Sequence, residues 1–418
     1  MEDQLKTDFL KIIRNSKFSK NNIKLKEDYL NKFIQSGFPN KNNENWKFSD
    51  INQIIKKKIG DLSFYNDYSL SNEVNSSDFI DGLEHNKIVF INGRIEKIDF
   101  GYEDKDKIEI LDELEVKKNL DKINSLINLN NAFANKFYKI IIKKNYIFQK
   151  PLIIYHITNN KIKSKNINLR LDFLLERNSS LKIIDMFNDK SEKNFINIFY
   201  NFELNQDSIL KNYKIDKIEN NNIKYSYNNI EQDTNSISET FVLSSGSNFI
   251  KNEFNCNLNG KYSSAFINGI ISLKKLQHHE IKSNINHLID NTKSYQLIKS
   301  VLEEDSKGVY QGKIFVNSKA QKTDGYQLSK AILLNKTSEF NAKPELEIYA
   351  DDVKCSHGST SGSIDEDSIY YLMSRGLNRK ESIKLLVNGF LNEIIETIKS
   401  NSIKKFVQNK LESQIYGH

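Results

Sequence analysis

Cys355 and His357 are the residues whose types and spacing most clearly invite chemistry. Cysteine thiolate and neutral imidazole are both good ligands for iron or zinc. On an extended segment, residues two apart project from one face, so the pair would offer two ligands side by side. Two ligands do not close a metal site. The remainder must come from elsewhere in the chain or from another molecule, and His278, His279 and His287 are the candidates within the chain. Taken by itself, a Cys-x-His pair is more often structural than metal-binding. His278 and His279 read first as surface or turn residues. Cys256 lies in an apolar alternation and reads as a buried core thiol. Glu345 and Glu347 would share a strand face, as paired carboxylates do in carbohydrate-active β-helices, although a solvated face is the plainer reading. Asp351 and Asp352 form a second acidic pair.

Other chemistries lack their signatures. There is no Gly-rich phosphate loop, so ATP hydrolysis by this chain is not expected. There is no Gly-x-Ser-x-Gly elbow and no His-Glu-x-x-His motif. The net charge of +7 is mild for 418 residues, and the lysines at 56–58 and 404–405 are too few to form a basic block. Nucleic-acid binding is therefore not expected. No apolar run approaches the roughly 20 residues that span a bilayer. Met1-Glu2-Asp3 opens the chain without a basic segment and apolar core, and two cysteines make no disulfide framework. Together these point to a reducing, cytoplasmic setting with no membrane contact.

The elements that would position Cys355 and His357 follow from the hydrophobic pattern. Leu5, Phe9, Ile12 and Ile13, then Tyr29, Phe33 and Ile34, recur at helical spacing. Gly37 and Pro39 break that pattern, and the only tryptophan, Trp46, follows as an aromatic anchor for packing this arm on the body. Asn92-Gly93 predicts a tight hairpin within residues 87–95. A polar helical stretch is expected around residues 112–129. From about Tyr138, short alternating runs bounded by Asn, Ser, Asp or Gly predict a β-domain. Loose repeats of an apolar pair, a polar turn and a return to apolar residues occur at 174–181, 202–209, 241–247 and 332–338. Such repeats suit a β-helix, and an irregular sandwich is the alternative. Beyond it, Asp365 is placed to cap a helix that ends at Arg375-Gly376, and Asn378 with Glu381 forms a capping box for another. Ile383, Leu386, Val387, Phe390, Ile394 and Ile398 line one face of that second helix. The expected division is 1–137, helical and mixed; 138–362, β-helix; and 363–418, helical.

Residues 343–358, which run Lys-Pro-Glu-Leu-Glu-Ile-Tyr-Ala-Asp-Asp-Val-Lys-Cys-Ser-His-Gly, resemble the signature of the SufB/SufD family of the SUF iron–sulfur assembly system. The likeness continues through residues 364–366 and 370–376. It also takes in Gly37-Phe38-Pro39 and the segment around Trp46, Asn92-Gly93-Arg94, Asn131-Ala132-Phe133-Ala134, Ser294-Tyr295-Gln296-Leu297 and Gly312-Lys313-Ile314. Cys-Ser-His-Gly resembles the SufD branch, since SufB carries His-Glu-Ala there and is usually longer.

The resemblance implies a mainly β fold, with a right-handed parallel β-helix between helical ends. It implies a scaffold subunit, not an enzyme, that joins a SufB paralogue and the ATPase SufC and that pairs with itself when isolated. His357 would be a ligand at the SufB interface for a transient Fe–S cluster, with Cys355 beside it. Tyr370, Tyr371, Arg375, Gly376 and Phe390 would lie in the SufC-docking region. No cofactor is expected on the isolated chain, and a flavin in the assembled complex is left open. The competing readings are a secreted carbohydrate-active β-helix, a SufB-like paralogue and a plain adaptor without ligands.

Overall fold

The computed structural model describes residues 2–15, 18–65, 79–113, 124–159, 161–218 and 222–416. Its body is a parallel β-helix of two facing sheets. Even-numbered strands β4 (Phe137–Ile142), β6 (Asn166–Leu175), β8 (Phe195–Leu204), β10 (Ile223–Gln232), β12 (Phe249–Leu258), β14 (His278–His287), β16 (Lys307–Val316) and β18 (Glu339–Ile348) build one sheet. Odd-numbered strands β5 (Leu152–Thr158), β7 (Ser180–Asp189), β9 (Ile209–Ile218), β11 (Ile237–Gly246), β13 (Ser264–Leu273), β15 (Lys293–Leu302), β17 (Thr323–Leu333) and β19 (Val353–Ser363) build the other. The chain alternates between the sheets, so each strand pairs in parallel with the strand two before it.

Every second residue faces the interior. The largest apolar cluster runs along it, from Ile154 and Leu171 through Phe202 and Cys256 to Ile298 and Tyr310. The strand–turn repeat has a local cause. At one edge the third turn residue takes a left-handed backbone, as at Asn178 (φ 56°), Asp207 (φ 60°) and Asn235 (φ 56°). Asn and Asp tolerate that conformation better than most residues. The next residue is Ser or Thr, and the hydroxyls of Ser179, Ser236 and Ser263 each donate to the carbonyl three residues back at 2.6–2.7 Å. The repeats at 174–181 and 202–209 fall on this edge. Those at 241–247 and 332–338 fall on the opposite edge, which explains their irregular spacing.

The sheets reach further toward the N-terminus than Tyr138. Strand β1 (Asn86–Ile91) pairs in parallel with β5 and antiparallel with β2 (Arg94–Asp99), through an Asn92-Gly93 turn with both φ positive. Strand β3 (Ile108–Glu113) lies antiparallel on β4. Helices α1 (Glu2–Asn15), α2 (Lys20–Ser36), α3 (Ile51–Lys58) and α4 (Ser125–Phe133) cover the outer face of the even sheet at Phe195, Phe199 and Phe249. Of the polar stretch expected at 112–129, residues 114–123 lie outside the described residues. Trp46 is fully buried against Tyr225, with the Lys251 ammonium 4.1 Å from its ring centre.

Helices α5 (Glu366–Ser374), α6 (Arg379–Ile395) and α7 (Asn401–Tyr416) follow the last strand. Val387, Leu391, Ile394 and Val407 pack on Tyr213, Leu243 and Ile270 of the odd sheet. Among the described residues, no helix is long and apolar enough to cross a membrane.

Candidate functional site

Cys355 and His357 lie on β19, the last strand of the odd sheet. Parallel register sets Cys355 beside Gly325 and His357 beside Gln327. Thr323, Gly325, Gln327, Ser329 and Ala331 are the buried, interior-facing positions of β17. Cys355 and His357 therefore continue the interior columns of the β-helix into its final turn. Among the described residues no further strand follows in this sheet. His357 is consequently exposed and Cys355 half-buried, although both occupy positions that are buried in earlier turns. Burial pushes the Cys355 thiol up, opposed by the Gly325 N–H and reinforced by Asp324.

Of the three histidines named as in-chain partners, only His287 approaches Cys355. A Cβ placed on Gly325 would lie 3.4 Å from Cys355 Sγ and 3.5 Å from His287 Nε2. Ile314 Cγ2 lies 3.5 Å from the same point, so thiol, imidazole and an apolar methyl group surround the space over Gly325. His287 is wholly buried, and burial lowers its pKa to about 3, so it is neutral. Its Nδ1 lies 2.7 Å from Thr292 Oγ1, which itself donates to the Ile289 carbonyl. That chain assigns the proton to Nδ1 and leaves the Nε2 lone pair to accept from Ser294 Oγ at 2.9 Å.

The surface or turn reading of His278 and His279 is corrected. Both lie in β14, with His279 buried and its Nδ1 2.9 Å from Ser244 Oγ, while half-buried His278 meets Glu280 at 2.9 Å. Among the described residues, no group of three or more His, Cys, Asp or Glu side chains could hold a metal ion. Cys256 is a buried core thiol.

Glu345 and Glu347 project outward from β18 and are engaged by lysines. Glu345 meets Lys343 at 3.1 Å, and Glu347 pairs with Lys313 and accepts from Tyr349 Oη at 2.9 Å.

The C-terminal helices separate the remaining candidates. Tyr370 and Tyr371 on α5 are 61% and 58% exposed, which is unusual for paired aromatics outside an interface. The Arg375 guanidinium sits 5.3 Å from the Tyr371 ring centre, and Gly376 (φ 98°) ends the helix. Arg379 holds Glu366 through two bonds of 2.7 and 2.8 Å, fixing α5 against α6. Phe390 instead turns toward the odd sheet, where Lys299 Nζ lies 4.5 Å from its ring.

A two-sheeted β-helix with an open terminal turn that carries a thiol and an imidazole defines the class. The family model for the SUF system FeS cluster assembly SufBD core domain matches residues 156–390, more than half of the chain, and the chain belongs to that family. It is 25% identical over 407 residues to the iron-sulfur cluster assembly protein SufD of Escherichia coli (strain K12), covering 94% of this chain and 92% of that one. It is also 23% identical over 416 residues to protein ABCI7, chloroplastic, of Arabidopsis thaliana, covering 93% and 85%. A SufBD family protein of Synechocystis, slr0076, matches at 40% identity over 109 residues, 26% of this chain and 24% of that one. The chain is thus of the SufD type, with a role in iron–sulfur cluster assembly.

Gly325 and Gln327, the neighbours of Cys355 and His357, escaped sequence reasoning. The strand–turn period was the signal that could have found them, because it sets β19 one turn beyond β17.

Proposed function

We propose that this chain is a non-catalytic scaffold subunit that contributes one half of a cluster-assembly site, which a SufB-type paralogue completes. One observation carries the reading: Cys355 and His357 occupy interior-facing columns in a turn that nothing among the described residues covers. A second β-helix abutting that end would supply the missing ligands and bury the pair. The edges of β18 and β19 are unpaired on one side, and unpaired edges are templates for strand addition. In the isolated chain a second copy would take the same place.

Iron and sulfide are the cargo of the site. Imidazole suits such transient holding because protonation or displacement releases the metal. The exposed Tyr370, Tyr371 and Arg375 present a surface for a SufC-type ATPase, whose closure would pull on α5 and α6. Helix α6 rests on the odd sheet that ends in β19, so that motion has a path to the site.

Co-expression with SufB- and SufC-type partners, followed by anaerobic purification, tests this reading. The parent complex is expected to be brown and to hydrolyse ATP. His357→Ala is expected to keep all three subunits together while cluster build-up is lost. Normal cluster yield in that variant would remove His357 as a ligand, and recovery of the chain as a lone monomer would remove the scaffold reading.

A further inference from the structure

Behind His357, the interior holds a file of polar side chains where an apolar core would be expected. Gln327, the in-register neighbour of His357, is 2% exposed. Its Nε2 donates across the interior to the Glu345 carbonyl on β18 at 3.0 Å. Its Oε1 lies 3.4 Å from Tyr310 Oη, whose single proton it shares with the nearer Gln296 Oε1. Tyr310 Oη also lies 3.1 Å from Gln296 Oε1 and 3.3 Å from Ser283 Oγ, and Ser283 Oγ bonds Gln296 Oε1. Ser283, Gln296 and Tyr310 are all buried. The file thus runs from the interior of β14 and β15 through β16 and β17 to the rung beneath β19.

Gly312 makes this packing feasible. The Tyr310 ring lies along its own strand over the Gly312 Cα. A Cβ at Gly312 would fall 2.1 Å from Gln327 Oε1 and 2.4 Å from Tyr310 Oη. Any side chain there would evict the Gln327 amide. Tyr310 Cζ would lie 2.7 Å away as well, so alanine would have to shift the buried Tyr310 ring together with the Gln327 amide.

We propose that Gln327 is a positioning residue for His357. Its amide is held by the Glu345 carbonyl and by Tyr310 in the space left at Gly312, and it forms the floor on which the imidazole rests. Two consequences follow from the geometry. On this proposal the amide, which occupies the interior at the rung beneath position 357, keeps the exposed His357 ring from folding back into the β-helix. The bond from Gln327 to Glu345 also ties β17 to β18 at the last complete turn, which fixes the spacing across which a second molecule's ligands must reach. Buried polar groups cost free energy unless they are bonded, and the bond from Gln327 Nε2 to the Glu345 carbonyl holds that amide in place, although Gln296 Nε2 in the same file finds no partner among the described residues. Ligands held loosely by about 1 Å can lose most of their function. The effect on cluster assembly rests on the ligand reading of His357; the ordering of the ring does not.

The test separates the two. In the isolated chain with ¹⁵N-labelled histidine, the His357 ring should give one sharp set of NMR signals in a single rotamer. Gln327→Ala and Gly312→Ala should each replace it with averaged or multiple signals. Ser329→Ala, which removes only the neighbouring bond to Ser359 at 2.9 Å, should leave it unchanged. Circular dichroism should confirm that all three variants fold. Ring signals in Gln327→Ala and Gly312→Ala identical to the parent's would overturn the proposal. In the assembled complex, both variants should build cluster about tenfold more slowly at unchanged subunit content. Parent-like build-up in Gln327→Ala, where His357→Ala abolishes it, would overturn the proposal as well. If His357→Ala built cluster normally while Gln327→Ala still released the ring, the ligand reading would fall and the positioning would stand.

Discussion

His279 and His287 carry a cost that only folding imposes. Burial depresses their imidazoles from the usual 6.5 to about 4 and about 3. Between those values and 6.5, unfolded chains take up protons that the folded chain refuses. The unfolded state then binds more protons, so stability falls as pH drops through that window. The buried carboxylates act in the same direction. Burial raises Asp185 and Glu280, but Lys214 and His156 at the first and Lys251 and His278 at the second outweigh it and hold both below the usual carboxylate range. Their contribution is present above the unfolded carboxylate value and is lost as pH falls below it. Urea midpoints measured at about pH 7 and about pH 5 should therefore drop with acidification, and His287→Gln should make the drop shallower. An unaltered slope in that variant would mean that His287 is not buried neutral. At this scale the sequence was legible for Cys355 and His357 as a same-face pair and for Cys256 as core. It was not legible for His278 and His279, because their strand, β14, places polar residues inside as well as outside.

Elements were legible where backbone chemistry is local. Asp365 caps α5 by accepting from the Ser368 N–H at 3.0 Å. Asn378 and Glu381 form the reciprocal capping box of α6, both bonds at 2.9 Å. The Asn92-Gly93 hairpin forms for the same kind of reason. Asn378→Ala should cost about 1 kcal/mol, read as a lower urea midpoint at unchanged slope. No change would mean that packing of Val387 and Leu391 on the odd sheet, not the cap, sets the start of α6. Strands were harder to read where the interior is polar. β10 reads Ile-Lys-Tyr-Ser-Tyr-Asn-Asn-Ile-Glu-Gln and β14 reads His-His-Glu-Ile-Lys-Ser-Asn-Ile-Asn-His, and neither alternates by hydrophobicity. Each nevertheless has ten partners in strict register on either side, so neighbours and turns hold these strands where their own pattern does not. The side-chain file behind His357 stayed hidden for the same reason, since Gln296, Tyr310 and Gln327 come together only through that register.

The whole molecule is asymmetric end to end. Its first turn is closed by the antiparallel strands β2 and β3, and its even-sheet flank is covered by α1 to α4. Its last turn is bare: the residues of β18 are nearly all half-exposed, and most of β19 is exposed. The proposed half-site predicts that a partner continues the β-helix at this open end. The Cys355–His357 pair, too few to close a metal site, sits in that open turn. Hydrogen–deuterium exchange tests the claim most directly, by comparing the amides of residues 339–363 in the isolated chain, diluted until it is monomeric, with those after mixing with the proposed SufB-type partner. The account predicts fast exchange along the outer edges of β18 and β19 in the monomer and strong protection of those amides in the complex. Equal exchange in the two states would contradict it, because the open turn would then not be where the partner docks.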